Sequence, residues 1–329
     1  MVQEAQHHPI DAVITWVDGL DPAHLKKRKS VMGSAPNLFH ENAINPHRWA
    51  CNGELYFCLA SLEHNAPWLR KIWIVVDAQS PDLSGLSAAL RAKIQLVDHT
   101  EIFANQGAIL PTFNSLAIET YLWNIPGLSD QFIYFNDDVF LTSPCQPFDF
   151  FTMNGPILRG TWADFSSLEN DPEQMADPVK FNHYMQINAA ALCGVPSQRL
   201  FRTAHVAHPC LRPTMAQLNS RFAAAFRDNA GYRMRDIHQF SPQSLHNHAC
   251  ILNKTATVNS VKDHCHIYSG QGVGAVDGTI AALLQNIDEK PDIKMLCIND
   301  LPQLEALYPD IRGWLAQAVT GALRSSSTE

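Results

Sequence analysis

The 329-residue chain is 46% hydrophobic and carries 24 Lys and Arg against 32 Asp and Glu, a formal net charge of −8. That apolar content is ample for a packed core and excludes a disordered chain, while the acidic balance argues against a nucleic-acid-binding surface. The amino terminus lacks the charged-then-apolar pattern of a signal peptide, no apolar run reaches the ~18 residues of a membrane span, and the eight cysteines form no C-x-x-C pair, so a soluble cytoplasmic protein with reduced thiols is expected.

Four apolar runs each stop at an acidic residue or cluster: Ala12–Val17 before Asp18, Ile72–Val76 before Asp77, Ile94–Val97 before Asp98, and Phe132–Phe135 before Asn136, Asp137 and Asp138. Such runs read as strands buried on both faces, which belong to parallel sheets covered by helices. After the first run, the basic stretch Lys26–Lys29 is either a solvated helix face or a phosphate contact. Glu54–His64 repeats Leu55, Leu59 and Leu62 at helical spacing. Residues 114–124 form a second expected helix, capped by Asn114 or Ser115 and stopped at Pro126-Gly127. From about Asp149, Met, Ala, Gln and His become more frequent, and Ile187–Leu192 and Met215–Phe226 look helical.

The expected fold class is α/β: a Rossmann-like, mostly parallel sheet with flanking helices over residues 9–150, and a helix-rich portion, residues 151–323, covering the site. Together these make one catalytic domain spanning residues 1–329, with 324–329 a frayed tail. Ligands bind such sheets at the carboxyl ends of the strands. Carboxylates gathered there repel by about 1 kcal/mol in water and by more when partly buried, which a divalent cation brought in with a phosphorylated substrate would relieve.

Four stretches then carry a resemblance. They are Asp11–Gly19; Asn52–Leu55 continued through Asn65–Ile72 and Leu110–Ser115 to Tyr134–Leu141; Ala204–His208 followed by Arg233–Asp236; and Cys297–Asp300. In these the chain resembles the Stealth family of sugar-1-phosphate transferases, which includes bacterial capsular polysaccharide phosphotransferases and the lysosomal-enzyme N-acetylglucosamine-1-phosphotransferase. It departs from the family pattern at Cys51-Asn52, where an Asp-Asn pair is usual, in the spacing around Arg233, and at Leu301-Pro302 after Asp300.

The resemblance implies a glycosyltransferase-A-like fold and metal-dependent transfer of a sugar-1-phosphate, best matched by GlcNAc-1-phosphate, from a UDP-sugar to a hydroxyl of an acceptor glycan, with release of UMP. It implies Asp137 and Asp138 as ligands of Mg²⁺ or Mn²⁺, with Asp138 also catalytic. His205 or His208 would be the base, with His205 favoured; the two share one face if that stretch is helical. Arg233 or Arg235 would clamp the diphosphate. Trp16, Asp18, Gly19, Asn52, Asp77, Asn114 and Asp300 complete the implied substrate-binding set, with Gly19 permitting close backbone approach to the nucleotide. The implied partners are a nucleotide sugar and a glycan, with peripheral docking on polysaccharide assembly machinery. Two other readings remain open: a glycosyltransferase releasing UDP and a non-catalytic glycan-binding protein. Gly270–Gly274 reads as a mobile loop or lid, and His246, His248, Cys250, His264, Cys265 and His266 match no zinc signature.

Overall fold

The computed structural model describes residues 8–33, 39–45, 49, 51–107, 109–259, 262–267, 278–290 and 292–320. The expected loop at 270–274 and the tail at 324–329 lie outside them. The four apolar runs are strands: β1 (Ile10–Thr15), β2 (Ile72–Val76), β3 (Ile94–Asp98) and β4 (Gln131–Asn136). They stand side by side and parallel in the order β4-β1-β2-β3. The strand His208–Leu211 adds antiparallel to β4, with His208 opposite Tyr134. Pro209 lacks an N–H to donate, which suits this edge position.

Apolar side chains on both faces of the sheet explain the unbroken runs. Every residue of β2 is buried, whereas Gln95 and Leu96 of the edge strand β3 are exposed. The helix Glu54–Asn65 lays Leu55, Leu59 and Leu62 in one core with Ile14, Ile74 and Phe135. On the opposite side Tyr121, Phe226 and Leu245 share a core with Val13, Val75 and Tyr134. The helix expected over 114–124 runs Ser115–Thr120 and tightens into a 3₁₀ turn at Leu122–Asn124.

A second sheet meets the first at the site. β5 (Val139–Leu141) pairs antiparallel with Met295–Ile298, which in turn pairs parallel with His264–Ile267. Asp137 and Asp138 form the turn between β4 and β5, and the Ile298 N–H donates to the Asp138 carbonyl at 3.0 Å. The carboxyl-terminal part is helix-rich and carries short strands as well. Its helices include Phe181–Leu192, Arg212–Arg221, Ala223–Gly231 and Pro242–Leu252. The helix expected over 215–226 is split at Phe222, whose φ of −118° and ψ of 39° leave the helical region. Its strands also extend both sheets and form the hairpin of Gly160–Ala163 with Leu200–Thr203. The stretch holding His205 and His208 is not helical: His205 lies in a loop and His208 opens an edge strand, so the shared helical face does not exist. No helix among the described residues is long and apolar enough to cross a membrane.

Candidate active site

A cavity of about 570 Å³ opens at the carboxyl ends of the parallel strands, where the topology places ligands. Thr15 and Trp16 reach it from β1, Val75 and Asp77 from β2, His99 from the start of the helix His99–Ile102 after β3, and Asn136–Asp138 from the end of β4. Ala204, His205 and His208 close one side, and His266, Asn299 and Asp300 enter from the second sheet.

The acidic centre is the β4–β5 turn. Asp138 Oδ2 accepts from the Asn299 amide, while Asp138 Oδ1 is buried with no hydrogen-bond partner. Burial pushes the Asp138 carboxyl up to about 6, against the opposing pull of Asn299. Asp137 is pushed well above the usual carboxylate range, first by burial and then by the charges of Asp138 and Glu54. Asn299 is itself oriented by His266, whose Nε2 lies 2.5 Å from Asn299 Oδ1. Ligating atoms of Asp138, His205 and Cys297 lie within 4.8 Å of one another.

The two histidines have different surroundings. His205 is exposed, with its Nε2 3.4 Å from Asn136 Nδ2 and its ring 5.4 Å from that of His266. His208 stacks on Tyr134 at 6.2 Å and 16°. Burial, then the charge of His205, hold His208 down at about 3, so it is neutral near pH 7. Tyr134 anchors this corner: its hydroxyl bonds Asn136, sits 3.0 Å from Thr15 Oγ1 and donates to Glu119 Oε1 at 3.2 Å.

The arginines also separate. Arg235 lines the cavity, with Nη2 donating to Ser115 Oγ at 2.5 Å and Glu119 and Tyr134 as charge neighbours. Arg233 is not among the cavity-lining residues, and its Nε donates to the Pro111 carbonyl at 2.8 Å. Asn114 faces the cavity, but its amide is occupied. Nδ2 donates to the Tyr232 and Met234 carbonyls and to Gln239 Oε1, and Oδ1 caps the helix at Leu116. Asn52 lines the cavity with its amide on Glu54 at 3.2 Å, and Asp77 lines it while holding Lys27 through both oxygens at 3.1 Å.

Asp18 and Gly19 lie outside the cavity lining. The Asp18 backbone is bonded in both directions by the Gln79 amide. The close approach that Gly19 allows is to Trp49: a Cβ at Gly19 would lie 2.1 Å from the Trp49 carbonyl oxygen. Asp98 caps the following helix and accepts from the Ala78 N–H, so strand-end position alone does not make an aspartate part of the site. His246 and His248 accept from the Leu211 and Phe201 N–H groups, which makes them bonds of the core. Sequence reasoning missed Glu54, Glu119, His24, His99, His266 and Asn299 as lining residues. Glu54 and Asn299 had a signal, since they neighbour Asn52 and Asp300 within the recognised stretches.

Residues 8–35 match Stealth protein CR1, conserved region 1, and residues 48–158 match Stealth protein CR2, conserved region 2. An exopolysaccharide phosphotransferase of Streptomyces coelicolor is 34% identical over 259 residues, which is 77% of this chain and 42% of that protein. The chain thus spans less than half of that relative. The receptor polysaccharide phosphotransferase WefC of Streptococcus oralis is 30% identical over 258 residues, 69% of this chain and 74% of that protein. The capsular polysaccharide phosphotransferase WcwK of Streptococcus pneumoniae matches to the same extent. Among solved structures, the galactosyltransferase LgtC aligns at 14% identity and a TM-score of 0.40, over 97% of this chain and 96% of that one. With two conserved regions matched in order and a relative 30% identical along 74% of its length, the chain belongs to the Stealth family.

Proposed function

We propose that the chain is a sugar-1-phosphate transferase, taking GlcNAc-1-phosphate from UDP-GlcNAc to a hydroxyl of an acceptor glycan and releasing UMP. The observation that carries this reading is the buried, unpartnered Oδ1 of Asp138 beside His205 at the carboxyl end of β4. Polysaccharide phosphotransferase relatives support the reaction class.

The donor set fits Mg²⁺ or Mn²⁺: Asp137 and Asp138 offer hard oxygens, one of them without a partner, and a cation would offset the burial, and after it the neighbouring negative charge, that raise both carboxyls. Bound there, the ion would neutralise charge on the diphosphate oxygens. The chain's own groups supply the rest. His205 accepts the proton of the attacking hydroxyl, and its exposure lets it meet an acceptor arriving from solvent. The acceptor oxygen bonds to the β-phosphorus as the bond to the oxygen bridging the α-phosphate breaks, and that electron pair leaves with UMP. Arg235 holds phosphate oxygens from the Glu119 side. Asn136 is fixed by Tyr134 and holds the His205 ring in place.

The test is a product assay with UDP-GlcNAc, a glycoside acceptor, and Mg²⁺ or Mn²⁺ against EDTA. UMP formed only with metal and acceptor is the expected result. UDP as the nucleotide product would replace the reading with sugar transfer.

A further inference from the structure

The cavity extends well beyond the acidic centre. His99 follows β3 and His205 precedes the strand His208–Leu211, and both line it, so it runs across all five strands of the sheet. At the usual inter-strand spacing that is about 19 Å. The reacting groups, Asp137, Asp138 and His205, sit toward one end. The opposite end is lined by His24, Asp77, His99, Trp49 and Phe113.

Two features of this far end point to a ligand. His24 is 3% exposed and His99 6% exposed, and the Nδ1 atom of each is buried without a hydrogen-bond partner. Buried polar atoms are normally paired, so two orphans lining one end of one cavity mark partners supplied from outside the chain. Neither ring is charged near pH 7: burial holds His99 at about 4 and lowers His24, where the charge of Arg28 adds to the effect. Of the two nearby cations, Lys27 is bound to both oxygens of Asp77, and Arg28 lies over the Trp49 ring at 4.1 Å and is not among the cavity-lining residues. A phosphate here would face Asp77 with no unengaged positive charge from Lys27. A flat, neutral group with polar edges suits the rings better, and Phe113, edge-on to His24 at 5.0 Å, gives the pocket an apolar wall. A metal does not fit, because the one convergent ligand cluster among the described residues is Asp138, His205 and Cys297.

We infer that His24 and His99 form the nucleobase subsite of the donor, each imidazole offering Nδ1 to a polar edge of the base. This rests on the donor being a nucleotide sugar whose phosphates lie toward Asp138. The two histidines then select the nucleoside that is bound without touching the reacting atoms.

Calorimetric titration with UMP and with ribose 5-phosphate, which lacks only the base, tests the assignment. His24→Leu and His99→Leu should each weaken UMP binding about tenfold, the effect of one lost hydrogen bond, and leave ribose 5-phosphate binding unchanged. His24→Asn and His99→Asn, which keep a polar atom near Nδ1, should recover most of the loss. Equal weakening of both ligands, or no weakening of UMP, overturns the inference. Should the leucine variants not fold, ¹⁵N imidazole spectra of the unmodified protein decide: UMP should shift Nδ1 of both rings and ribose 5-phosphate should not, and identical responses overturn it. Base-dependent binding in a protein that yields no UMP in the product assay would keep the subsite and remove the reaction.

Discussion

Asp138 is the residue whose energetics point most clearly to work other than folding. A half-buried carboxyl pushed up to about 6, with one oxygen unpartnered, costs the native state free energy. Asp138→Asn should therefore cut transfer by on the order of a hundredfold or more, while the melting temperature holds or rises and the stabilisation by added Mg²⁺ disappears. Turnover and thermal melts with and without Mg²⁺ check this together, and normal turnover would remove Asp138 from the site. Arg235 and Arg233 offer a paired comparison. Arg235→Lys removes a fork from the cavity wall and should lower kcat/KM about tenfold, the value of one charge-assisted hydrogen bond. Arg233→Lys changes a group bonded to the Pro111 carbonyl and should leave kcat/KM near that of the unmodified protein. Steady-state kinetics of the two variants would reveal a reversed assignment.

At the scale of elements, the join between the helix Ser115–Thr120 and the segment 232–239 governs the site. Asn114 caps that helix, and its amide holds the Tyr232 and Met234 carbonyls and Gln239. Asn114→Ala loses a cap and leaves buried carbonyls unpaired, a destabilisation of about 3 kcal/mol measurable by urea unfolding. It should also lower activity, because Arg235 follows Met234 directly. The cap was legible in the sequence, but the join was not, since it depends on residues about 120 positions away. The four strands were legible, because strands buried on both faces leave unbroken apolar runs, and Glu54–Asn65 was legible from its leucine spacing. The His205–His208 stretch was not: spacing suits one helical face, but pairing with Tyr134 on β4 makes His208 a strand residue. Asp18, Asp77 and Asp98 look alike in sequence, yet only Asp77 of the three lines the cavity, because neighbours fix where each carboxylate points. His24, His99 and Glu119 were missed for the same reason: each is brought to the cavity by packing that leaves no local pattern.

For the whole molecule the balance of buried titratable groups sets the response to acid. Burial lowers His24, His99, His183, His208, His248 and His266 below their ordinary value of 6.5. As pH falls through 6.5 the unfolded chain takes up protons that these native imidazoles refuse, so stability is lost on acidification by about 1.4 kcal/mol per pH unit for each uncompensated proton. His246, raised by Cys250 against its own burial, and Asp137 and Asp138 act oppositely, since the native state binds their protons at a higher pH than the unfolded chain does. Among the described residues, six groups against three predict a net loss between pH 7 and pH 5. A bound cation should hold Asp137 and Asp138 ionised and cancel their opposition. Added Mg²⁺ should therefore stabilise the fold more at pH 7 than at pH 5 and make the acid loss steeper. Urea unfolding at both pH values, with and without Mg²⁺, reads both effects. A protein that became more stable at pH 5 without metal would mean that the two carboxyls outweigh the histidines, and the acidic turn would then be the dominant strain in the native state.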